Sequence, residues 1–405
     1  MRPACPACAL VSILPDAGPE GLPHESAEPA SGTSWHRKCN TRYRMTRPQI
    51  EHYLCSFFRQ PVTVSCLTTL GELQNGQAEP KHYGYGTPIR VDYQTAGGQP
   101  GAAVIHSIAA GPFGHEHMAD RAQILLWQYR AFNCLPQHVR ALDVAGIDPA
   151  QNLSSLGNIE EFCLLTDYAD GESYAKDLER ICADGIAAPG DFARADALCD
   201  WLVRIHSVRA NEPGLYIRRI RELVGHGECI MGLADSYPDH PFITRTVLEQ
   251  IEHRAVEWRW RLKDRIHRLR QVHGDFHPWN ILFGKDLDFQ VLDRSRGEYG
   301  DPADDLTSIT ANYIFFSLQR SGRLEGAFLE LFLRFWNRYL DETDDREILQ
   351  VAAPFFAFRG LVMASPLWYP DLPEVTREKL IRFILAVLEQ PAFDPNEVNA
   401  YCGAG

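Results

Sequence analysis

Apolar and polar positions follow two different periods along this chain. Between residues 62 and 108 the apolar residues come in short β-prone runs that are separated by turns such as Gly97-Gly98. From residue 116 onward they recur mostly every three or four positions, which is the spacing of one helical face. The pattern therefore predicts an N-terminal sheet followed by a largely helical remainder.

The sheet is predicted to be antiparallel, since short loops join its strands. Its strands are expected at residues 62–70, 88–94 and 102–108. Helices are expected at residues 49–58, 116–132, 192–208, 216–224, 242–269, 306–318, 324–340, 346–364 and 375–389. Sheet first and helices afterwards predict an α+β fold of two lobes.

The predicted lobes have unequal sizes. A small antiparallel β N-lobe spans residues 46–168, and a larger, mostly helical C-lobe spans residues 169–395. Residues 1–45 are rich in Pro, Ala, Gly and Ser and show neither period, so we expect a disordered extension there. Residues 396–405 are expected to form a flexible tail.

Charge and cysteine content narrow the possible functions. The chain has 40 basic and 53 acidic residues and a net charge of −13, which disfavours nucleic-acid binding. It contains no run of about 18 apolar residues of the kind that spans a membrane. Its 11 cysteines form an odd set without regular spacing, which favours reduced thiols and a cytoplasmic location.

Four N-terminal residues have the types found in a zinc knuckle, namely Cys5, Cys8, His36 and Cys39. The long separation between the two pairs and the lack of a predicted scaffold disfavour such a site. It stays the weaker alternative for this segment.

The chemistry-bearing stretch covers residues 273–293 and reads HGDFHPWNILFGKDLDFQVLD. Two apolar runs around a polar turn predict a β-hairpin that brings Asp293 back beside Asn280. Carboxylate and amide oxygens are ligands that Mg²⁺ accepts. Asp275 stands five positions before Asn280, where its carboxylate can approach an acceptor hydroxyl. Phosphoryl transfer needs both functions.

A zinc site made of His273, Asp275 and His277 is a competing interpretation of the same loop. It gives no role to Pro278 or to the hairpin that follows. The kinase interpretation explains both and is preferred.

The loop belongs to a longer pattern, because LD follows at residues 292–293 and GDPADDL at residues 300–306. Together these motifs resemble the aminoglycoside phosphotransferase and choline kinase superfamily, whose members share a protein-kinase-like fold. The likeness spans roughly residues 60–390 and is motif-specific only at residues 273–306. It implies transfer of a nucleotide γ-phosphate to a small acceptor.

The resemblance also implies residue roles. Asp275 would be the catalytic base, and Asn280 and Asp293 would hold the Mg²⁺ that bridges the phosphates of ATP or GTP. Asp305 would be structural and would cap the next helix.

Nucleotide contacts are expected in the N-lobe. Gly84 and Gly86 lie in the turn between the first two strands, where backbone amides can approach phosphates without an intervening Cβ. An apolar run ending at Tyr168 predicts a strand whose end, with Leu165 and Thr166, hydrogen-bonds the nucleotide base.

The predicted third strand departs from the family pattern because it carries no lysine. His106 is the candidate replacement for the phosphate-contacting lysine, and Lys81, just before the glycine turn, is the alternative. Two functions therefore stay open. One is an active small-molecule kinase, and the other is a degenerate kinase-fold protein that binds nucleotide or regulates without phosphotransfer.

Overall fold

Two compact units make up the computed structural model, Met1–Cys163 and Leu164–Gly405. The structure describes residues 45–70, 88–111 and 114–403. In these ranges no helix is long and apolar enough to cross a membrane.

The N-terminal unit contains an antiparallel sheet of three strands in the order β1-β2-β3. Its elements are α1 (Arg47–Phe58), β1 (Val62–Thr69), β2 (Ile89–Thr95), β3 (Pro100–Ile105), α2 (Met118–Asn133) and the ribbon β4 (Ala145–Ile147) with β5 (Leu153–Ser155). The three predicted strands and two predicted helices of this region are present, with ends that differ by a few residues.

A small core joins α1 to this sheet. Ile50 and Leu54 of α1 bury against Val62, Val64 and Val91. The two valines of β1 are two positions apart and so point to the same face, which is why the alternating sequence predicts this strand.

The C-terminal unit is mostly helical, and its short strands surround the predicted catalytic loop. Its elements are β6 (Glu172–Ser173), α3 (Tyr174–Asp184), α4 (Pro189–His206), α5 (Pro213–Gly225), α6 (Ile230–Ser236), α7 (Arg245–Leu262), β7 (Arg270–Gln271), β8 (Ile281–Phe283), β9 (Phe289–Val291), β10 (Tyr299–Gly300), α8 (Pro302–Ser321), α9 (Gly326–Thr343), α10 (Ala352–Ala364), α11 (Glu374–Glu389) and α12 (Val398–Tyr401). The predicted α+β class, with a small β-rich unit before a larger helical one, is confirmed.

Helix α8 lies at the centre of this unit, and its residues from Pro302 to Leu318 are almost all buried. It packs against α3, α9 and α10. Because three acidic residues stand at its N-terminal end, this central helix carries charge into the core beside the catalytic loop.

Two helix predictions need correction, and two helices were missed. The segment predicted as one helix at residues 346–364 is a 3-10 helix, Arg346–Gln350, followed by α10. Pro354 explains the new start, since proline fits the first turn of a helix and not its interior. Helix α7 ends at Leu262, earlier than expected, and the short helices α3 and α6 were not predicted.

Two further predictions are wrong. Residues 162–168, which are within the described part of the chain, form no strand, and Leu165 and Tyr168 are 96% and 89% exposed. The flexible tail predicted at residues 396–405 contains α12, and its residues Val398 and Cys402 are buried in the core of the unit.

Candidate active site

The predicted β-hairpin is present and determines where Asn280 and Asp293 stand. Strands β8 and β9 pair antiparallel with Ile281 opposite Val291. One step further along, the Leu292 amide donates to the Asn280 carbonyl over 2.8 Å. Asp293 follows immediately with a φ of 54°, so the backbone turns into the left-handed region there. Its side chain lies at the surface.

Asp275 lies in the loop before this hairpin and is surrounded by donors. The Asn280 side-chain amide donates to the Asp275 carbonyl over 3.1 Å and lies 3.5 Å from its Oδ2. His277 Nε2 is 3.6 Å from the same Oδ2. Arg359 Nη1 donates to Oδ1 over 2.5 Å. The structure thus brings Asp275, Asn280 and Asp293 into one region of the C-terminal unit.

The backbone of this loop is held by Asp305, which is fully buried near the start of α8. Its two oxygens accept from the backbone amides of His273 and Gly274, both over 2.7 Å. His206 Nε2 lies 3.1 Å from Asp305 Oδ2. Gly274 has a φ of 86°, a conformation that glycine adopts without steric cost.

Asp305 therefore does not cap the helix, contrary to the expectation from the resemblance. The N-cap of α8 is Asp301, whose side chain accepts from the Ala303 amide over 3.0 Å. Asp305 lies one turn further inside, where its carboxylate faces the catalytic loop. Its role is structural, but it supports the loop and not the helix end.

Asp301 has a second set of partners beneath the loop. Arg268 donates through Nε and Nη2 to both Asp301 oxygens, over 2.8 and 3.0 Å. The Tyr216 hydroxyl donates to Oδ2 over 2.8 Å. Burial alone would raise the pKa of Asp301, but the Arg268 charge and these hydrogen bonds keep it below its ordinary value.

Arg359 is a residue of this site that the sequence analysis did not find. It stands in the apolar helix α10 and is only 5% exposed. Besides Asp275, it donates through Nη2 to the Gly274 carbonyl over 3.1 Å and to Asp304 Oδ1 over 2.7 Å. A lone arginine within the run FFAFRGLV is the signal that could have identified it.

The charges around Asp275 favour its ionised form. Burial alone would raise the pKa of Asp275, but the nearby His277 ring and the positive charges of Arg359 and Arg296 lower it well below its usual range. The carboxylate is therefore an acceptor at neutral pH. The pKa of His273 is lowered by burial, so this histidine favours its neutral form.

The oxygen donors near the hairpin fit a hard divalent cation. The Asn280 amide nitrogen is turned to Asp275, which leaves the amide Oδ1 as its metal-ligating atom. Asp293 adds an exposed carboxylate. Two protein oxygens with the remaining positions filled by water or phosphate is the environment in which Mg²⁺ is usually bound.

The zinc interpretation of this loop is wrong. Within the described residues, no group of three or more His, Cys, Asp or Glu side chains is placed to hold a metal ion. His273 Nδ1 instead accepts from the Asp275 amide over 3.2 Å. Cys5, Cys8, His36 and Cys39 lie outside the described residues.

The predicted nucleotide contacts come from three separate parts of the chain. His106 directly follows β3 and is exposed. Leu165, Thr166 and Tyr168 are exposed in the segment that lacks a strand. Gly84, Gly86 and Lys81 lie outside the described residues. The nucleotide roles of all these residues stay predictions.

A family model described as "Phosphotransferase enzyme family" matches residues 134–347. No curated protein matches the chain. Among solved structures, a glucosamine kinase is 18% identical over 57% of each chain, with a TM-score of 0.31. An ethanolamine kinase of Plasmodium vivax is 12% identical over 83% of each chain, with a TM-score of 0.33. An ADP-bound aminoglycoside phosphotransferase is 12% identical over 84% of this chain and 98% of its own, with a TM-score of 0.30.

Proposed function

This chain belongs to the phosphotransferase enzyme family, and from that membership we propose that it is a small-molecule kinase. It would transfer the γ-phosphate of ATP or GTP to a hydroxyl group of its acceptor. The observation that carries the proposal is the grouping of Asp275, Asn280 and Asp293 around one β-hairpin. A carboxylate acceptor and a pair of hard oxygen ligands are what phosphoryl transfer requires of the protein.

Asp275 would act through its Oδ2 atom, because Oδ1 is taken by Arg359. The Asp275 side chain is 15% exposed, so a hydroxyl can reach it. As the acceptor oxygen forms its bond to the γ-phosphorus, the bond between that phosphorus and the β–γ bridging oxygen breaks. The nucleoside diphosphate leaves, and the hydroxyl proton passes to the Asp275 carboxylate.

Asn280 and Asp293 would hold Mg²⁺. When bound, the cation supplies positive charge that neutralises the nucleotide phosphates. The two residues keep a fixed spacing because the β8–β9 pairing and the Leu292–Asn280 hydrogen bond hold their backbones together. Gly84, Gly86, His106, Leu165, Thr166 and Tyr168 are the proposed nucleotide contacts.

The second candidate function is a degenerate kinase-fold protein that binds nucleotide without transferring phosphate. The observation that favours it is the absence of a lysine from the sequence of β3, where His106 follows the strand. An active phosphotransferase needs some other group to contact the phosphates there.

A single-turnover assay separates the two. The full chain would be mixed at high concentration with γ-³²P-labelled ATP or GTP, Mg²⁺ and a panel of amino alcohols, sugars, aminoglycosides and macrolides. We expect label to appear in at least one acceptor. Bound nucleotide with neither transfer nor hydrolysis would reject the kinase and favour the degenerate protein.

Asp275→Asn tests the proposed base. We expect the turnover rate to fall by at least about 10²-fold, in the range typical of a lost general base, while nucleotide affinity stays nearly the same. Asp286→Asn is the matched control, because Asp286 is an exposed residue in the turn of the same hairpin. Its φ of 60° is a conformation that asparagine tolerates. Equal rates for both variants would remove Asp275 from the reaction.

A further inference from the structure

Arg359 is a buried cation in an otherwise apolar helical segment. Its neighbours in α10, from Phe355 to Leu361, are all buried. Taking a guanidinium out of water is costly unless its charge and its N–H groups are paired. Packing alone therefore does not account for an arginine at this position.

Its pairing is directed at the catalytic loop. Nη1 donates to Asp275 Oδ1 and Nη2 to the Gly274 carbonyl, so two of its three hydrogen-bond partners are consecutive loop residues. The third partner, Asp304 Oδ1, stands near the start of α8. Nε is buried and has no hydrogen-bond partner within the described part of the chain. The guanidinium plane is thus fixed between α8 and the loop.

The loop backbone already has an anchor of its own. Asp305 accepts from the amides of both His273 and Gly274. What Arg359 adds is a contact with the Asp275 side chain, since the hydrogen bonds of Asp305 go to the two loop amides and to the His206 ring. Asp305 thus holds only the loop backbone, whereas Arg359 holds both the Gly274 carbonyl and the Asp275 side chain.

Fixing one carboxylate oxygen leaves the other in a defined place. Oδ2 faces His277 Nε2 at 3.6 Å and the Asn280 amide at 3.5 Å. Neither distance is that of a strong hydrogen bond, so Oδ2 keeps the capacity to accept one from a substrate hydroxyl.

We propose that Arg359 is a positioning residue that holds Asp275 Oδ1 and presents Oδ2 alone to the acceptor hydroxyl. This inference rests on the proposed kinase function. Arg359 touches neither the acceptor nor the phosphates and acts through Asp275. Asp304 in turn orients Arg359.

Arg359→Met and Arg359→Lys test the inference in the full chain. We expect Arg359→Met to lower kcat by about 10²-fold, because a misplaced catalytic group costs a factor of this size. The KM for nucleotide should stay the same. Lysine keeps the charge but reaches fewer partners, so Arg359→Lys should recover part of kcat.

Arg338→Met is the matched control. Arg338 is likewise an arginine paired with aspartate, but its partner is Asp200, and it lies at the surface of α9 with 35% exposure. Its kcat should match that of the native chain. An unchanged kcat in Arg359→Met would overturn the inference, and so would a raised nucleotide KM at native kcat, which would make Arg359 a phosphate contact.

A second measurement does not depend on turnover. Hydrogen exchange of the peptide spanning residues 273–280 should become faster in Arg359→Met than in the native chain or in Arg338→Met. Unchanged exchange would contradict positioning. If Arg359→Met does not fold, Arg359→Lys carries both measurements with the same expected directions.

The two proposals fail in different ways. A native chain that transfers no phosphate to any acceptor rejects the kinase function itself. If the native chain and Arg359→Met transfer phosphate at the same rate, only the positioning role is rejected.

Discussion

At the scale of single residues, the site is built from acidic groups with different duties. Asp275 is partly exposed and faces the loop surface, while Asp305 is fully buried and accepts from two loop amides. In the sequence, only the family resemblance distinguishes the role of Asp275 from that of Asp305. The resemblance predicted that Asp305 caps a helix. The contacts show instead that Asp305 determines the path of the loop backbone.

Asp305→Ala should therefore destabilise the C-terminal unit. The change leaves the His273 and Gly274 amides and the His206 ring without their buried acceptor, and each unsatisfied group costs free energy. We expect the free energy of unfolding to fall by about 3–5 kcal/mol, since each buried donor left unsatisfied costs about 1–3 kcal/mol. Urea unfolding followed by circular dichroism measures it.

The control for this change is Asp341→Ala. Asp341 is 73% exposed and pairs with Arg346 on the surface. Its removal should change the free energy of unfolding by less than about 0.5 kcal/mol, as for most surface residues. If the two variants have the same free energy of unfolding, the contacts of Asp305 with the loop contribute no more to stability than a surface ion pair does.

Single residues also show which parts of the site can be predicted from the sequence. Asp275, Asn280 and Asp293 lie within one short stretch, so their spacing and the hairpin period were enough to predict that they come together. Arg359 is 84 positions from Asp275. No local pattern reports such a pairing, because it depends on how α10 packs against α8.

At the scale of elements, helix α8 connects the core to the catalytic loop. Its cap Asp301 is fixed by Arg268 and Tyr216, so the start of the helix cannot shift without breaking buried hydrogen bonds. Local patterns predicted this helix at residues 306–318 but missed its first turn, which starts at Pro302 after the N-cap Asp301. They failed at residues 162–168, where an apolar run without a partner strand remains exposed.

Asp301→Asn tests the electrostatic part of this anchor, because asparagine is also a good N-cap. The folded-state pKa of Asp301 is lowered from its ordinary 3.8, so the charge stabilises the fold above that pH. The stabilisation is lost as the pH falls through the folded-state pKa. Near pH 7 we expect the variant to lose about 3 kcal/mol or more of unfolding free energy.

The pH dependence of this loss is the sharper measurement. Urea unfolding of both chains between pH 7 and pH 3 should show the difference between them shrinking below about pH 4, where the native carboxylate begins to lose its advantage. A constant difference across this range would mean that shape and hydrogen bonding, and not the Arg268 charge, account for the loss.

At the scale of the whole molecule, the two units support the proposed phosphotransfer unequally. The C-terminal unit contains Asp275, Asn280 and Asp293, for which we propose catalytic and metal-binding roles, and the contacts that hold their loop. In the N-terminal unit the evidence for nucleotide contact is one exposed histidine after β3 and a glycine pair outside the described residues. Family membership indicates phosphotransfer in general. Because β3 carries no lysine, our proposal requires another group to contact the phosphates in this chain.

His106 variants decide that question. If His106 contacts the phosphates as a donor, His106→Ala should weaken nucleotide binding about 10-fold, since losing one hydrogen bond to a charged group costs about 1.5–3 kcal/mol. His106→Lys should bind at least as tightly as the native chain, because it restores a permanent positive charge. Isothermal titration with ADP and Mg²⁺ measures both affinities without requiring an acceptor.

The control is His52→Ala. His52 is exposed on α1 of the same unit, so this variant should bind nucleotide as the native chain does. Native affinity in both His106 variants would make His106 an ordinary residue after a strand and would leave Lys81 as the candidate to substitute next.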